Sequence, residues 1–312
     1  MASHHGVTVV IPTYNRSDLV GEAINSVLAQ DWPETEVLVV DDGSTDRTPE
    51  VLAGYGDRVR VIRQENAGES AARNTGILAA SHELVAFLDS DNYWLPGKLG
   101  LQMQLFSHDE PPDVAFSAYT RIGDVPEEDV VLSEWAGTQE DALEQLLIGC
   151  RINTSTVIVR RNALIDVGLY DSSLRCAQDY DLWLRLAVAG YHIAYVPRPL
   201  AAYRIHGGAV SLDSELVNAS TERVVERLFD NDLLPAEFQE RRDFYLARCY
   251  LNSACFYLDT GAGREAADSI AKAARTRPAS IRPGWFLIWV RGRRLAAASG
   301  RAMRAHGSAS GI

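Results

Sequence analysis

The 312-residue chain is expected to adopt an α/β fold: a doubly wound, mostly parallel sheet followed by a C-terminal helical extension. Three features of the sequence lead to this expectation. Short apolar, β-branched runs at 7–11, 36–40, 59–62 and 84–88 end in polar loops, three of them rich in Asp or Asn. Segments with helical spacing separate these runs. Beyond residue 211 the strand signal stops and helical signal continues. Apolar residues in unbroken succession suit a strand buried on both faces. Strands alternating with helices at this rhythm make right-handed crossovers and a parallel sheet.

In chain order, residues 7–11 form the first strand, closed by Pro12 and the loop Thr13-Tyr14-Asn15-Arg16. Leu19, Val20, Ala23, Ile24, Val27 and Leu28 then recur at helical spacing, with Ser17 as N-cap. The second strand runs into Asp41-Asp42-Gly43-Ser44, and a helix follows from Thr48. After the third strand, a loop over 64–68 leads to a small-residue helix over 70–80 that carries Arg73-Asn74. The fourth strand ends in Asp89-Ser90-Asp91. Residues 114–117 read as a strand, 123–134 as an acidic solvated loop, and the segment from 138 as a helix with Ala142, Leu143, Leu146 and Leu147 on one face. A strand is expected over 153–159. From Gln178 an amphipathic helix turns Leu182, Leu186 and Ala189 inward, and 194–196 gives a last strand.

Composition narrows the class. With 46% hydrophobic and 23% charged residues the chain reads as a globular protein. Its net charge of −12 argues against a nucleic-acid binder. Nine basic residues and no acidic one follow Asp268, so −21 resides on the rest of the chain. Cys150, Cys176, Cys249 and Cys255 show no zinc or disulfide spacing and read as reduced packing residues. No signal peptide is expected.

Asp89 and Asp91, one residue apart just past a buried strand, can face one small volume. The carboxyl ends of such strands are where ligands gather in open α/β sheets. Hard oxygen ligands of this kind suit Mg²⁺ or Mn²⁺ carrying a phosphate-bearing substrate. An Asx-rich turn, in which both carboxylates bond nearby N–H groups, is the other reading.

Four stretches, taken in order, resemble family 2 glycosyltransferases. They are Val-Thr-Val-Val-Ile-Pro-Thr-Tyr-Asn-Arg, Leu-Val-Val-Asp-Asp-Gly-Ser-Thr-Asp, Asn-Ala-Gly-Glu-Ser-Ala-Ala-Arg-Asn-Thr-Gly and Phe-Leu-Asp-Ser-Asp-Asn-Tyr-Trp-Leu-Pro-Gly-Lys. The resemblance covers residues 6–210 and implies a GT-A fold and a nucleotide-sugar enzyme, most members being inverting. It implies that Pro12 and Tyr14 border the base and that Asp42 accepts a hydrogen bond from a pyrimidine N–H, with Asp41 capping a turn. Arg73 would contact the nucleotide or diphosphate, its other reading being a surface ion pair. Asp89 would sit by ribose and metal, and Asp91 would ligate Mn²⁺ or Mg²⁺. Asn92 stands where an acidic residue is common, which leaves the metal resting on Asp91. The family's Glu-Asp corresponds to Gln178-Asp179, so Asp179 would be the general base; its other reading is a helix cap that favours the dipole. Gln178 departs from the Glu but can still bond a sugar hydroxyl. Asp181 and Arg185 read as an i,i+4 pair. Arg204-Ile205-His206 resembles the Arg-x-His element that closes over the diphosphate, with His206 as a metal or phosphate ligand or else a packing residue.

The expected organisation is a catalytic domain over 1–210, a helical extension over 211–278 and a basic, aromatic tail over 279–312. Residues 244–278 resemble one tetratricopeptide-like hairpin. The tail places Trp285 and Trp289 among arginines, which suits either an anionic membrane surface over 282–304 or packing on the protein. The expected partners are a UDP- or dTDP-sugar donor and a glycan or lipid-linked glycan acceptor, with no nucleic acid. The expected location is the cytoplasm, at the inner face of the plasma membrane. Two other readings stand beside this one: a catalytically silent assembly subunit, and a sugar-phosphate nucleotidyltransferase. The latter would need a basic, glycine-rich loop after the first strand, where Pro-Thr-Tyr-Asn-Arg stands.

Overall fold

The computed structural model describes residues 5–124, 129–131, 135, 141–206, 214–231 and 233–277. The chain divides into two units, Met1–Asp213 and Ser214–Ile312.

The first unit is built on a sheet in the order β3-β2-β1-β4-β8-β6-β9-β5, with β7 added to β6. Here β1 is Val7–Thr13, β2 Thr35–Asp41, β3 Arg60–Arg63, β4 Leu84–Phe87 and β5 Tyr93–Trp94; β6 is Val114–Gly123, β7 Asp129–Val131, β8 Ile158–Arg160 and β9 Ile193–Ile205. Strands β1 to β4 are mutually parallel; β1, β2 and β4 are the buried apolar runs, and β3 (Arg-Val-Ile-Arg) is a mostly exposed edge strand. Strand β8 then joins β4 antiparallel, and β9 runs parallel to β6 and antiparallel to β5. Helices α1 (Val20–Leu28), α2 (Thr48–Ala53), α3 (Glu69–Ala79) and α4 (Lys98–Leu105) link the early strands; α5 (Asp141–Ile148), α6 (Arg161–Asp166) and α7 (Gln178–Val188) follow. One core joins Val9, Ile11, Val39 and Ala86 to Val20, Ile24 and Val27 of α1 and to Leu99 and Met103 of α4. On the other face of β1, α3 approaches so closely that a Cβ on Gly76 would lie 2.3 Å from Val10 Cγ1. Helices on both faces make this a doubly wound sheet.

Several expectations need correction. Ser17 does not cap α1; the helix starts at Val20 after a turn in which the Leu19 and Val20 N–H groups donate to Arg16 O. The strand over 153–159 is in fact a one-turn 3₁₀ helix, Thr154–Thr156, followed by the short β8. The hydroxyls in Asn-Thr-Ser-Thr satisfy local and distant polar groups that a strand would leave unpaired. The acidic loop over 123–134 is partly strand, since β7 pairs with β6; residues 125–128 and 132–134 lie outside the described residues. On α7, Ala189 is exposed at the C-cap, whereas Tyr180, Asp181, Trp183 and Leu184 are buried with Leu182 and Leu186. Strands β6 and β9 are far longer than their apolar runs, and a register shift at Ser117–Tyr119 lets them stay paired.

The second unit comprises α8 (Ser214–Asp230), α9 (Ala236–Gln239), α10 (Arg242–Asp259) and α11 (Gly263–Thr276). Helix α10 packs on α8 and α11, burying Val224, Val225, Phe229, Tyr245, Ala254 and Ala273. Buried Glu222 of α8 is paired with Lys272 of α11 at 2.5 Å. The tail over 282–304 lies outside the described residues. No helix among the described residues is long and apolar enough to cross a membrane.

Candidate active site

The carboxyl ends of β1, β2 and β4 deliver the polar residues. At the end of β1, Pro12 is buried opposite Val40 of β2, and Tyr14 is 45% exposed. Asn15, at φ 52°, turns the chain, and its Oδ1 accepts from the Thr45 and Asp46 N–H groups at 2.8 and 3.2 Å. Asp41 caps the next turn, accepting from Ser44 N at 2.9 Å, and pairs with Arg63 at 3.2 Å.

Asp42, 3% exposed, is largely engaged by the protein itself. Its Oδ1 accepts from Gln64 Nε2 at 2.7 Å and Ala67 N at 3.0 Å, and its Oδ2 from Gly68 N at 2.8 Å. Three of the roughly four acceptor positions of a carboxylate are therefore used. Gly68, at φ 90°, makes the sharp entry into α3 that these bonds fix.

Helix α3 places Arg73 at the centre of the cluster. Arg73 is 3% exposed, so its side of the ion pairs is buried, while the partner carboxylates Asp89 and Glu69 are partly exposed. Its Nη2 donates to Asp89 Oδ1 at 2.7 Å and to Glu69 Oε1 at 2.5 Å, and the group lies 5.3 Å from the Tyr170 ring centroid. Burial opposes its charge, but Glu69 and Asp89 outweigh that and hold its pKa above the ordinary arginine value. Its Nε and Nη1 find no hydrogen-bond partner among the described residues. Both atoms are enclosed by the protein, so the guanidinium contributes its charge to the site.

Asp89 Oδ2 accepts from Ser155 Oγ at 3.1 Å. Asp91 faces another way: its Oδ2 lies 3.1 Å from His206 Nε2 and 4.0 Å from Arg16 Nη2, with both carboxylate and imidazole partly exposed. Asn92 is buried, donating to Ser155 Oγ at 2.9 Å and accepting from Arg204 N at 2.8 Å. Arg204 in turn donates to Asp91 O at 3.0 Å and pairs with Glu22. The residue that departs from the family pattern is thus a tie between the β4 loop and β9.

Asp179 sits in the first turn of α7, after Ala177 at φ 59°. Its Oδ1 accepts from Tyr180 N at 2.8 Å and its Oδ2 from Thr154 Oγ1 at 3.2 Å. Burial pushes its carboxyl above the usual aspartate range, against the pull of Arg73; Asp89 adds to the rise. Gln178 Nε2 donates to Glu69 Oε2 at 3.1 Å. Asp181 pairs with Arg185 at 2.8 Å. The loop before α7 is fixed to α3 by Asn74, which donates to Tyr170 O and accepts from Tyr170 N, both at 2.9 Å.

The structure therefore joins Arg73, Asp89, Asp179 and Gln178 into one network, and sets Asp91 with His206 beside it. It also brings in residues the sequence reading missed. Glu69 bridges Arg73 and Gln178, and Thr154 and Ser155 reach Asp179 and Asp89. The available signal for the last two was a polar run inside what read as a buried strand.

Among the described residues no three His, Cys, Asp or Glu side chains converge to enclose a metal. Asp91 and His206 offer one carboxylate and one imidazole, while Asp89 is already engaged by Arg73 and Ser155. Two protein ligands fit a cation that takes its remaining ligands from phosphate and water, as Mg²⁺ does.

The model of the family described as Glycosyl transferase family 2 matches residues 8–168. A Bacillus subtilis protein named putative teichuronic acid biosynthesis glycosyltransferase TuaG is 32% identical over 211 residues, 66% of this chain and 81% of TuaG. An Escherichia coli protein, the UDP-Glc:alpha-D-GlcNAc-diphosphoundecaprenol beta-1,3-glucosyltransferase WfaP, is 28% identical over 219 residues, 69% of this chain and 84% of WfaP. Other relatives are longer: the match spans 58% of one and 31% of another. Among solved structures, Staphylococcus aureus TarS 1–349 with UDP-GlcNAc superposes with a TM-score of 0.62 at 18% identity, over 89% of this chain and 92% of that one. This likeness shows the GT-A fold.

Proposed function

The chain belongs to glycosyltransferase family 2, and from that premise we propose that it moves a sugar from a UDP- or dTDP-sugar to an acceptor hydroxyl with inversion. The observation that supports the reading is the network around Arg73, which sets a buried guanidinium, the Asp89 carboxylate and a carboxylate of raised pKa in one contiguous site. In this reading Pro12 and Tyr14 border the base, and the remaining acceptor position of Asp42 Oδ2 takes the base N–H. Arg73 acts on the nucleotide or diphosphate. Asp91 and His206, with Asp89 alongside, would hold Mn²⁺ or Mg²⁺, which when bound neutralises charge on the departing diphosphate. Gln178 and Glu69 face sugar or acceptor hydroxyls.

Asp179 takes the proton of the acceptor hydroxyl, whose oxygen attacks the anomeric carbon opposite the diphosphate. General-base help of this kind contributes ~10²–10⁴-fold. The names of TuaG and WfaP support a place in the assembly of a cell-envelope polysaccharide, with a lipid-linked glycan as acceptor class. The test is Asp179→Asn. It should keep nucleotide-sugar binding and lose turnover by at least about 10²-fold. Unchanged turnover would remove Asp179 as the base.

A further inference from the structure

Asp89 follows β4 and Asp179 lies in the first turn of α7, yet adjacent residues of one turn hold both. Thr154 Oγ1 donates to Asp179 Oδ2 at 3.2 Å, and Ser155 Oγ donates to Asp89 Oδ2 at 3.1 Å. Ser155 Oγ also accepts from Asp89 N at 3.2 Å and Asn92 Nδ2 at 2.9 Å. Both residues are buried.

The turn itself is fastened from below. Asn153 Oδ1 accepts from Ser155 N at 3.0 Å, and Thr156 Oγ1 donates to Asn153 O at 2.7 Å. Trp94 Nε1 donates to Ser155 O at 2.8 Å, while Gln102 Nε2 and Lys98 Nζ donate to Thr156 O at 3.0 and 3.3 Å. A buried polar cluster of this density would cost stability if any member were unpaired. Here the turn's polar groups are matched, and the hydroxyls that point away from its own backbone end on the two carboxylates.

We propose that the Thr154–Thr156 turn is a brace, with Thr154 and Ser155 as positioning residues that set Asp179 and Asp89 relative to each other. The inference rests on the reading of Asp179 as the base. An aspartate in the first turn of a helix has several rotamers. The Tyr180 N–H on one oxygen and the Thr154 hydroxyl on the other select one of them. Small misplacements of a reacting group are expensive, ~10²-fold for about 1 Å.

The test compares the parent with Thr154→Val, Thr154→Ser and Asp179→Asn. The readouts are UDP release with water as acceptor, from whichever UDP-sugar of a panel the parent turns over fastest, and thermal unfolding. Thr154→Val should lower kcat about tenfold, the scale of one hydrogen bond to a charged group, with a modest drop in the unfolding midpoint, while KM for the donor stays near the parent. Thr154→Ser, which restores the hydroxyl, should recover most of the loss. Parental kcat in Thr154→Val beside an inactive Asp179→Asn would overturn the brace alone. So would a loss in which KM, midpoint and kcat fail together and serine restores nothing. Parental kcat in Asp179→Asn would instead overturn the base reading, and the brace with it.

Discussion

Asp179 carries two demands that pull against each other. A general base must be ionised, yet its burial favours the neutral acid, with Arg73 only partly offsetting it. The acid limb of kcat/KM should therefore lie above the ordinary aspartate value of 3.8, and a pH–rate profile checks it. The same shift bears on stability. A carboxyl whose folded pKa is raised stabilises the fold at low pH and loses that contribution as pH rises through the folded value. Asp179→Asn should then unfold at pH 7 no earlier than the parent. At this scale the sequence was readable wherever a residue type has few alternatives. Asp42, Asp89, Asp91 and Asp179 stand at strand and helix ends where carboxylates concentrate. Glu69 was not readable, because a glutamate in the first turn of a helix is ordinary, and only the fold brings it against Gln178. Nor was the burial of Arg73, whose alternative reading was a surface ion pair.

Among elements, α3 shows how packing places chemistry. Gly76 lies three residues beyond Arg73 and lets α3 approach β1 so closely that any Cβ would strike Val10. Gly76→Ala gains helix propensity of up to about 1 kcal/mol but meets an overpacking cost of about 1–3 kcal/mol. The variant should be less stable and should bind nucleotide more weakly, because Arg73 moves with its helix. Denaturant unfolding and UDP titration check both parts. Strands β1, β2 and β4 were legible because a strand covered on both faces is apolar along its buried length. Strand β9 was legible only at 194–196, since its exposed positions break the run at Pro197 and Arg198. The Thr154–Thr156 turn was misread because sequence pattern records burial, and buried polar residues in a turn imitate a strand. The loop before α7 also escaped, as its left-handed residues are Leu169 and Ala177 rather than glycine alone.

For the molecule as a whole, the first unit carries a buried lysine beneath its site. Lys98 is fully buried, and burial holds its pKa well below the usual lysine value. Its Nζ bonds Gln102 and lies 4.2 Å from the Trp94 ring centroid. A lysine with a depressed folded pKa binds fewer protons folded than unfolded between the two values. Stability therefore rises with pH across that window, up to the ordinary 10.5, at up to about 1.4 kcal/mol per pH unit. The parent should gain on Lys98→Met between pH 7 and 9.5 in urea unfolding. A constant difference at both pH values would show that Lys98 titrates normally.

The central claim is that the strand ends form a metal-assisted nucleotide-sugar site. The most direct measurement is calorimetric titration of the parent and Asp91→Ala with UDP, dTDP and GDP, each with and without Mn²⁺. The account predicts that UDP or dTDP binds the parent with Mn²⁺, and binds at least about tenfold more weakly when either Mn²⁺ or the Asp91 carboxylate is removed, a loss of about 1.4 kcal/mol. Binding that ignores both Mn²⁺ and Asp91, or no binding of any nucleotide, would contradict it.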